Sequence, residues 1–224
     1  SDRPSSDATT NLLAATRLCV GSDLGEVVVV MHGEPSDTYC SVHRGTKARK
    51  MHSSRRDAFA SMNIHPIGRV EGSSVKLNGH YVKRSAGPVE VRDRIDGRVS
   101  LQYFYPGFEE DHFDMIASHV KGVVVAGTGL GHVSDPIISS IRKAVRNGVH
   151  VVVTTQCLQG SVNLNVYSTG RDMVAAGALP VGDMLPETAY VKLMWAMGQT
   201  DDYAEVNKIM LTNIAGELTK GREL

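Results

Sequence analysis

The second half of the chain alternates between apolar runs and helical segments, and this alternation restricts the fold more than any other feature. The runs VSLQYFY, GVVVAG and VHVVVTT, at 99–105, 122–127 and 149–155, are separated by helical patterns at about 109–119 and at 134–146. Strands with apolar residues at nearly every position are typical of a sheet covered on both faces. Helices between such strands serve as crossovers to parallel neighbours. The sequence therefore predicts an α/β fold with a parallel sheet.

Three further helices are predicted after the last of these strands. They cover 168–176, the segment ETAYVKLMWAMG that follows Pro186, and 201 to about 215. Proline is favoured at the first position of a helix, and Gly177 and Gly216 stand where glycine commonly ends one.

The first third of the chain begins with a predicted helix followed by a strand. Ser5, Ser6 and Asp7 offer N-caps for the helix. The run EVVVVMHG at 26–33 predicts a strand buried on both faces of a parallel sheet. A helix that leads into a parallel strand implies another strand before it. We therefore expect the N-terminal domain to be incomplete in this chain.

The stretch between this strand and the second half predicts smaller elements. Residues 36–45 can form a hairpin arm, 57–61 a short helix, and 75–84 a hairpin that turns at Asn78-Gly79. Glycine, serine and charged residues then become frequent. We predict one domain over 1–85, a linker over 86–98 and a second domain over 99–224.

Charge and composition exclude several functions. The 24 basic and 24 acidic residues cancel, so no global field attracts nucleic acid or a membrane surface. No leader and no apolar run near 18 residues is present. Cys19, Cys40 and Cys157 have no CxxC spacing, and the nine histidines have no HxH or HExxH spacing, so we predict neither a disulfide framework nor a metal site. These features predict a soluble protein of the cytoplasm.

One stretch departs from this neutral balance. Residues 44–56 contain six lysines and arginines and no carboxylate. Lys50 lies among them, and a lysine crowded by cations gives up its proton more readily, which makes its amine a candidate proton acceptor. A solvated basic loop is the alternative interpretation. Ser53 or Ser54 beside Lys50 would be a further alternative, a serine–lysine pair.

The glycines of AGTGLGH, at 126–132, follow a strand and precede a helix. Their spacing is GxGxG, which differs from the GxGxxG of dinucleotide sites, and no acidic residue ends the next strand. A turn in which backbone passes close to backbone is the preferred interpretation.

Five parts of the chain point to one family, namely KMHSSRRDAF (50–59) with SMN (61–63), SDRPSSDATTNL (1–12), VVMHG (29–33), AGTGLGHVS (126–134) and DMLPETAYVKLMW (183–195). These segments resemble the type I asparaginases, a family that includes the glutaminase subunits (GatD) of archaeal Glu-tRNA(Gln) amidotransferases. The likeness covers essentially the whole chain, and ETAYVKLMW is more similar to GatD than to stand-alone asparaginases.

This resemblance implies a two-domain α/β fold and specific site residues. Residues 1–85 would be the C-terminal part of the larger N-terminal domain, and 99–224 the smaller C-terminal domain. The family uses a threonine nucleophile, a second threonine beside an aspartate, and a lysine, and only the lysine can be carried over, to Lys50. The TGGT-like and HGTDT-like segments that bear the threonines do not occur in the 224 residues. The resemblance also makes His132 a candidate at a subunit interface, where some of these enzymes have an asparagine.

The resemblance also implies a reaction and its partners. A GatD-like subunit releases ammonia from glutamine or asparagine, works as a homodimer, and passes the ammonia to a GatE-like partner. That partner uses ATP and Mg to convert Glu-tRNA(Gln) to Gln-tRNA(Gln), so tRNA is engaged through it, and this chain itself needs no cofactor. The alternatives are a stand-alone cytoplasmic L-asparaginase and a non-catalytic interaction fragment.

Overall fold

The computed structural model describes residues 6–78 and 80–219, which form two compact units that divide between Val89 and Glu90. The candidate N-cap Ser5 lies outside the described residues. No helix in the described ranges is long and apolar enough to cross a membrane.

The first unit combines a helix, a four-stranded antiparallel sheet and a two-stranded hairpin. In chain order its elements are α1 (Ala8–Gly21), β1 (Val28–His32), β2 (Cys40–Arg44), β3 (Ala48–Lys50), β4 (Phe59–Ser61), β5 (Gly68–Glu71) and β6 (Ser74–Leu77). The sheet has the order β1-β2-β5-β6, and β3 pairs with β4. Its core lies between α1 and the sheet and is made of Ala14, Leu18, Leu24, Val30, Cys40, Val42, Ile67 and Val70.

The predicted environment of the 26–33 strand is wrong. Within the described residues β1 pairs antiparallel with β2, with Val30 opposite Val42. Burial along β1 is partial, and Val27, just before it, is 87% exposed. β-Branched residues favour a strand wherever it lies, and they do not specify the direction of its neighbour. The connection 33–39 reverses the chain, so β1 and β2 form a hairpin, and β2 lies within the predicted hairpin arm at 36–45.

Two further local predictions change in the structure. Residues 59–61 are strand β4 rather than part of a helix, because the chain returns there to pair Phe59 with Lys50. The β5–β6 hairpin turns at Gly72 and Ser73, with Gly72 at a positive φ of 56°. Asn78 follows β6 instead of forming its turn, and Gly79 of the predicted Asn78-Gly79 turn lies outside the described residues.

The second unit is the predicted α/β unit with a parallel sheet. In chain order its elements are β7 (Val99–Tyr103), α2 (Glu110–Ala117), β8 (Gly122–Gly127), α3 (Asp135–Arg146), β9 (His150–Thr155), α4 (Ser168–Ala175), β10 (Leu179–Pro180), α5 (Pro186–Gln199) and α6 (Tyr203–Leu211). The strands are parallel, in the order β10-β9-β8-β7.

Helices cover both faces of this sheet. All residues of β8 and β9 are buried, and alternate residues point to opposite sides. Val123 and Val151 pack with residues of α2, α3 and α4, whereas Val124 and Val152 pack with α5 and α6. The continuous valine runs are therefore explained by a sheet with a helical layer on each side.

A buried lysine shortens the last helix relative to the prediction of 201–215. Helix α6 ends at Leu211, and the carbonyl oxygens of Met210 and Thr212 accept hydrogen bonds from Lys192 Nζ, at 3.2 and 2.5 Å. Because these carbonyl groups bond to a side chain of α5, the chain leaves the helix and turns toward Glu217.

Candidate active site

Lys50 is the last residue of β3, at the point where the β3–β4 hairpin opens into a loop. Lys50 is paired with Phe59, and the next backbone bond, from Met51 N to Ala58 O at 2.6 Å, closes the base of the loop 51–58. The Lys50 side chain is exposed, and its amine has no hydrogen bond or ion pair with the residues that the structure describes. Its backbone is therefore fixed, while its amine remains accessible to a reacting group.

The loop 51–58 is held by its own side chains. His52 Nδ1 accepts hydrogen bonds from the backbone N–H groups of Ser54 and Arg55, both at 3.1 Å. Arg55 forms two hydrogen bonds with the Asp57 carboxylate, and these lower the pKa of Asp57. Hydrogen bonds between residues of the loop therefore hold this basic segment in one conformation.

The cations around Lys50 are compensated by carboxylates distant in sequence. Arg44 Nε and Nη2 donate to Glu26 at 2.6 and 2.9 Å. Burial by itself would raise the pKa of Glu26, but the hydrogen bonds from Arg44 and the Val82 amide hold it below its ordinary value. Arg56 Nη1 donates to Asp37 at 3.1 Å.

The sequence predicted that Lys50 is crowded by cations that no carboxylate neutralises, and this prediction is wrong for the arginines at 44, 55 and 56. The segment lacks acidic residues in sequence, but Glu26, Asp37 and Asp57 meet its arginines in space. Lys47 is fully buried, so it is no part of a solvated basic face either.

A buried histidine connects the sheet to the hairpin. His43 on β2 is 3% exposed, and its Nδ1 lies 2.9 Å from Ser61 Oγ on β4. Its Nε2 is buried without a hydrogen-bond partner among the described residues. Burial lowers the pKa of His43 to about 4. His43 belongs to the predicted hairpin arm 36–45, and the burial of the first four residues of β2 places it in the interior.

We expect the free energy of unfolding to fall as the pH drops from about 6.5, the ordinary pKa of histidine, to about 4, the pKa of His43 in the folded chain. Between these values the unfolded chain binds a proton that the folded chain excludes, so the stability is fully present at higher pH and is lost on acidification. The contribution of His43 has a slope of at most about 1.4 kcal/mol per pH unit. Denaturant unfolding at a series of pH values measures it. A His43→Gln variant should show a smaller slope, and an unchanged slope would contradict this assignment.

A second buried histidine, which sequence reasoning missed, lies at the end of β1. His32 is 0% exposed, with Asn11 of α1 on one side and Asp37 of the β1–β2 connection on the other. Arg56 of the loop 51–58 donates to the same Asp37 oxygen. The only signal in the sequence was the histidine at the end of the VVMHG run, where a strand opens into a loop.

His132 is in the second unit, in the glycine-rich turn after β8. The turn is closed by hydrogen bonds between Thr128 and His132, and a Cβ atom on Gly127 would lie 2.4 Å from the Gly131 carbonyl group. This is the close backbone approach that the glycine spacing predicted. The His132 ring lies edge-on to Tyr167, at a centroid distance of 5.4 Å, and its Nε2 is buried without a partner among the described residues.

Lys50 and the loop 51–58 are the part of the candidate site that the described residues contain. Within 6–78 and 80–219 no three His, Cys, Asp or Glu residues are grouped to hold a metal ion. Ser54 donates its backbone N–H to His52, and both Ser53 and Ser54 are exposed beside Lys50. The serine–lysine alternative stays a prediction.

Comparison with protein families matches both halves of the chain. The glutaminase/asparaginase C-terminal domain matches residues 98–210, and the N-terminal asparaginase domain matches residues 1–83. The two matches leave out residues 84–97 and 211–224.

Curated relatives extend this similarity over nearly the whole chain. The D subunit of the glutamyl-tRNA(Gln) amidotransferase from Pyrococcus furiosus is 56% identical over 222 residues, which is 98% of this chain and 50% of the relative. The corresponding protein from Metallosphaera sedula is 52% identical, over 97% of this chain and 50% of the relative. The chain thus spans about half the length of the curated relatives it matches.

Solved structures agree with the family comparison. The thermostable L-asparaginase from Thermococcus kodakarensis matches with a TM-score of 0.86 and 32% identity, covering 98% of this chain and 65% of that one. L-asparaginase I from Vibrio cholerae matches with a TM-score of 0.79 and 27% identity, covering 96% and 63%.

Proposed function

Because the chain belongs to the glutaminase/asparaginase family, we propose that it is part of a GatD-like subunit that releases ammonia from the side-chain amide of glutamine or asparagine. The observation that carries this proposal is Lys50, which ends β3 in the segment KMHSSRRDAF with an exposed amine and a fixed backbone. The 52–56% identity to amidotransferase D subunits supports the GatD-like assignment over other branches.

Lys50 would act in proton transfer. A threonine hydroxyl attacks an amide carbon efficiently only when a base takes its proton, and a neutral lysine amine near the hydroxyl can be that base. The amine of Lys50 would accept the proton, and the proton would then leave with the departing ammonia. The two threonines and the aspartate of this reaction would come from residues beyond these 224.

The partners follow from the same proposal. A GatE-like subunit would receive the ammonia and use ATP and Mg to convert Glu-tRNA(Gln) to Gln-tRNA(Gln). Most tRNA contacts would belong to that subunit, which fits the zero net charge of this chain. The GatD-like subunit would form a homodimer, with His132 a candidate at its interface, and would work in the cytoplasm.

A stand-alone L-asparaginase is the second candidate, supported by the solved structures at 27–32% identity. A non-catalytic interaction fragment is the third. The full-length protein distinguishes them through its hydrolysis of glutamine and asparagine, measured with and without a GatE-like subunit and Glu-tRNA(Gln). Stimulation of glutamine hydrolysis by the partner supports the first proposal, asparagine hydrolysis unaffected by it supports the second, and no hydrolysis supports the third.

The 224-residue chain by itself is expected to release no ammonia from glutamine or asparagine. Neither threonine segment occurs in it, and a lysine without its nucleophile cannot complete the reaction. The purified chain is assayed beside the full-length protein, which serves as the positive control. Turnover by the chain that is lost in a Ser53→Ala or Ser54→Ala variant would contradict this expectation and indicate serine–lysine chemistry.

A further inference from the structure

The ring of His32 is fixed between two oxygen atoms. Its Nδ1 lies 2.7 Å from Asn11 Oδ1, and its Nε2 lies 2.8 Å from Asp37 Oδ1. His32 is fully buried, whereas the Asp37 side chain is 61% exposed, and both contacts of the ring are direct. A neutral imidazole has one N–H and one bare nitrogen, and would therefore satisfy only one of these contacts.

The Asn11 oxygen can only accept hydrogen bonds from His32. The same oxygen accepts the backbone N–H of His32 at 3.1 Å, and a backbone amide has no other role than donor. The amide nitrogen of Asn11 points the other way and donates to Asp7 at 3.2 Å. The amide is therefore oriented unambiguously, and Nδ1 of His32 must carry a hydrogen atom.

The Asp37 oxygen is an acceptor as well. An aspartate is ionised near neutral pH, and the hydrogen bond with His32 and the charge of Arg56 lower the pKa of Asp37 further. Its Oδ1 accepts from His32 Nε2 and from Arg56 Nη1, at 2.8 and 3.1 Å. Nε2 of His32 must then carry a hydrogen atom too.

The other group that faces this cluster does not compete for the proton. Cys40 on β2 points its Sγ at Asn11 Oδ1, at 3.7 Å. Burial, with a smaller effect of the Asp37 charge, raises the pKa of Cys40, so the thiol remains a donor. Asn11 Oδ1 thus receives donors from His32 and Cys40 and from no other titratable side chain in the described residues.

This cluster reaches the loop that presents Lys50. Asp37 belongs to the connection 33–39, which is closed at its base by a bond from Gly33 N to Tyr39 O at 3.0 Å. Arg56 lies in the loop 51–58, two residues before the backbone bond that joins Ala58 to Met51. The Asp37–Arg56 contact therefore connects a buried, fixed histidine to the end of the β3–β4 hairpin.

We propose that His32 is a positioning residue, held as a doubly protonated imidazolium, that fixes Asp37 and through Arg56 the loop that presents Lys50. The proposal rests on the proposed function for its effect on turnover. For the protonation of His32 it rests on the hydrogen-bond geometry and the ionised carboxylate of Asp37, independently of any enzyme activity. Asp37 is the link, because one of its oxygens joins the imidazolium to the guanidinium.

The protonation is tested by NMR of the full-length protein labelled with ¹⁵N-histidine near neutral pH. The His32 signals are assigned by their loss in a His32→Gln variant. Both ring nitrogens of His32 are expected to show the shifts of N–H nitrogens, with equal couplings to the ring protons. A bare-nitrogen signal for either one would overturn the proposal, whatever the enzyme assays show.

The positioning role is tested by Asp37→Asn in the full-length enzyme. We expect kcat to fall by on the order of 10- to 100-fold with little change in KM, because a displaced lysine slows the chemistry and leaves substrate binding intact. Glu71→Gln is the matched control, since Glu71 also lies between two cations, Arg69 and Lys76, and should keep normal kcat. Equal kcat in Asp37→Asn and wild type would refute the positioning role, whereas inactivity of wild type itself would refute the proposed function.

Discussion

Replacing Lys50 with alanine in the full-length protein is expected to abolish amide hydrolysis and to leave the fold intact. Lys50 is exposed at the end of β3, and its amine bonds to none of the described residues, so truncation removes no structural contact. Losing a proton-transfer group costs on the order of 10²–10⁴-fold in rate, and more when the group acts jointly with a nucleophile. Ammonia release under saturating substrate, beside circular dichroism of the purified variant, measures both parts of this prediction.

A second substitution separates proton transfer from charge. Lys50→Arg keeps the positive charge, but a guanidinium does not give up its proton near neutral pH, so this variant should be as inactive as Lys50→Ala. Lys76→Ala is the matched control, because Lys76 is an exposed lysine on β6 of the same unit. A folded Lys50→Ala enzyme with near-normal turnover would refute the assignment, and an active Lys50→Arg enzyme would show that charge alone is required.

Replacing Lys192 with methionine is expected to destabilise the second unit by about 3–5 kcal/mol, the usual cost of leaving one member of a buried ion pair without its partner. Lys192 and Glu217 are 7% and 2% exposed, with 2.5 Å between Nζ and Oε1. Burial would raise the pKa of Glu217, but the hydrogen bonds from Lys192 and from the backbone amides of 214 and 215 outweigh it and hold this pKa low. Without Lys192, the carboxylate stays buried and loses its cation.

Trp195, the only tryptophan in the chain, lies one turn along α5 from Lys192 and reports this loss by its fluorescence during denaturant unfolding. Lys208→Met is the control, because Lys208 pairs with Glu205 on the surface of α6 and is 72% exposed, and its loss should change the midpoint little. Equal midpoints for Lys192→Met and Lys208→Met would contradict a structural role for the buried pair.

The second unit was predictable because its local patterns and its tertiary environment agree. The valine-rich runs of β8 and β9 predict strands covered on both faces, and helices do cover both faces. Pro186 begins α5 as predicted, and the 168–176 helix ends within one residue of its predicted position. Helix α6 ended early, because Lys192 binds the carbonyl groups at its end.

The first unit was less predictable because its strands are only three to five residues long and their residues suit either direction of pairing. The run EVVVVMHG is as rich in valine as β8, yet β1 is antiparallel and only partly buried. Residues 57–61 were assigned to a helix, whereas the requirement to close the Lys50 hairpin makes 59–61 a strand. Local propensity does not specify either result, because both depend on which strand becomes the neighbour and in which direction it runs.

The sequence by itself determined the family, the parallel α/β unit and the candidate lysine, because each of these follows from short contiguous stretches of residues. It could not determine which charges meet. Asp57 already lies beside Arg55 in the sequence, but Arg44 and Arg56 have no carboxylate so near, and only the folded chain brings Glu26 and Asp37 to them. The same is true of His32 and Lys192, whose roles follow from burial beside distant partners. Electrostatic interactions act through space over a few ångströms, so the chemistry of these groups was decided by the tertiary structure.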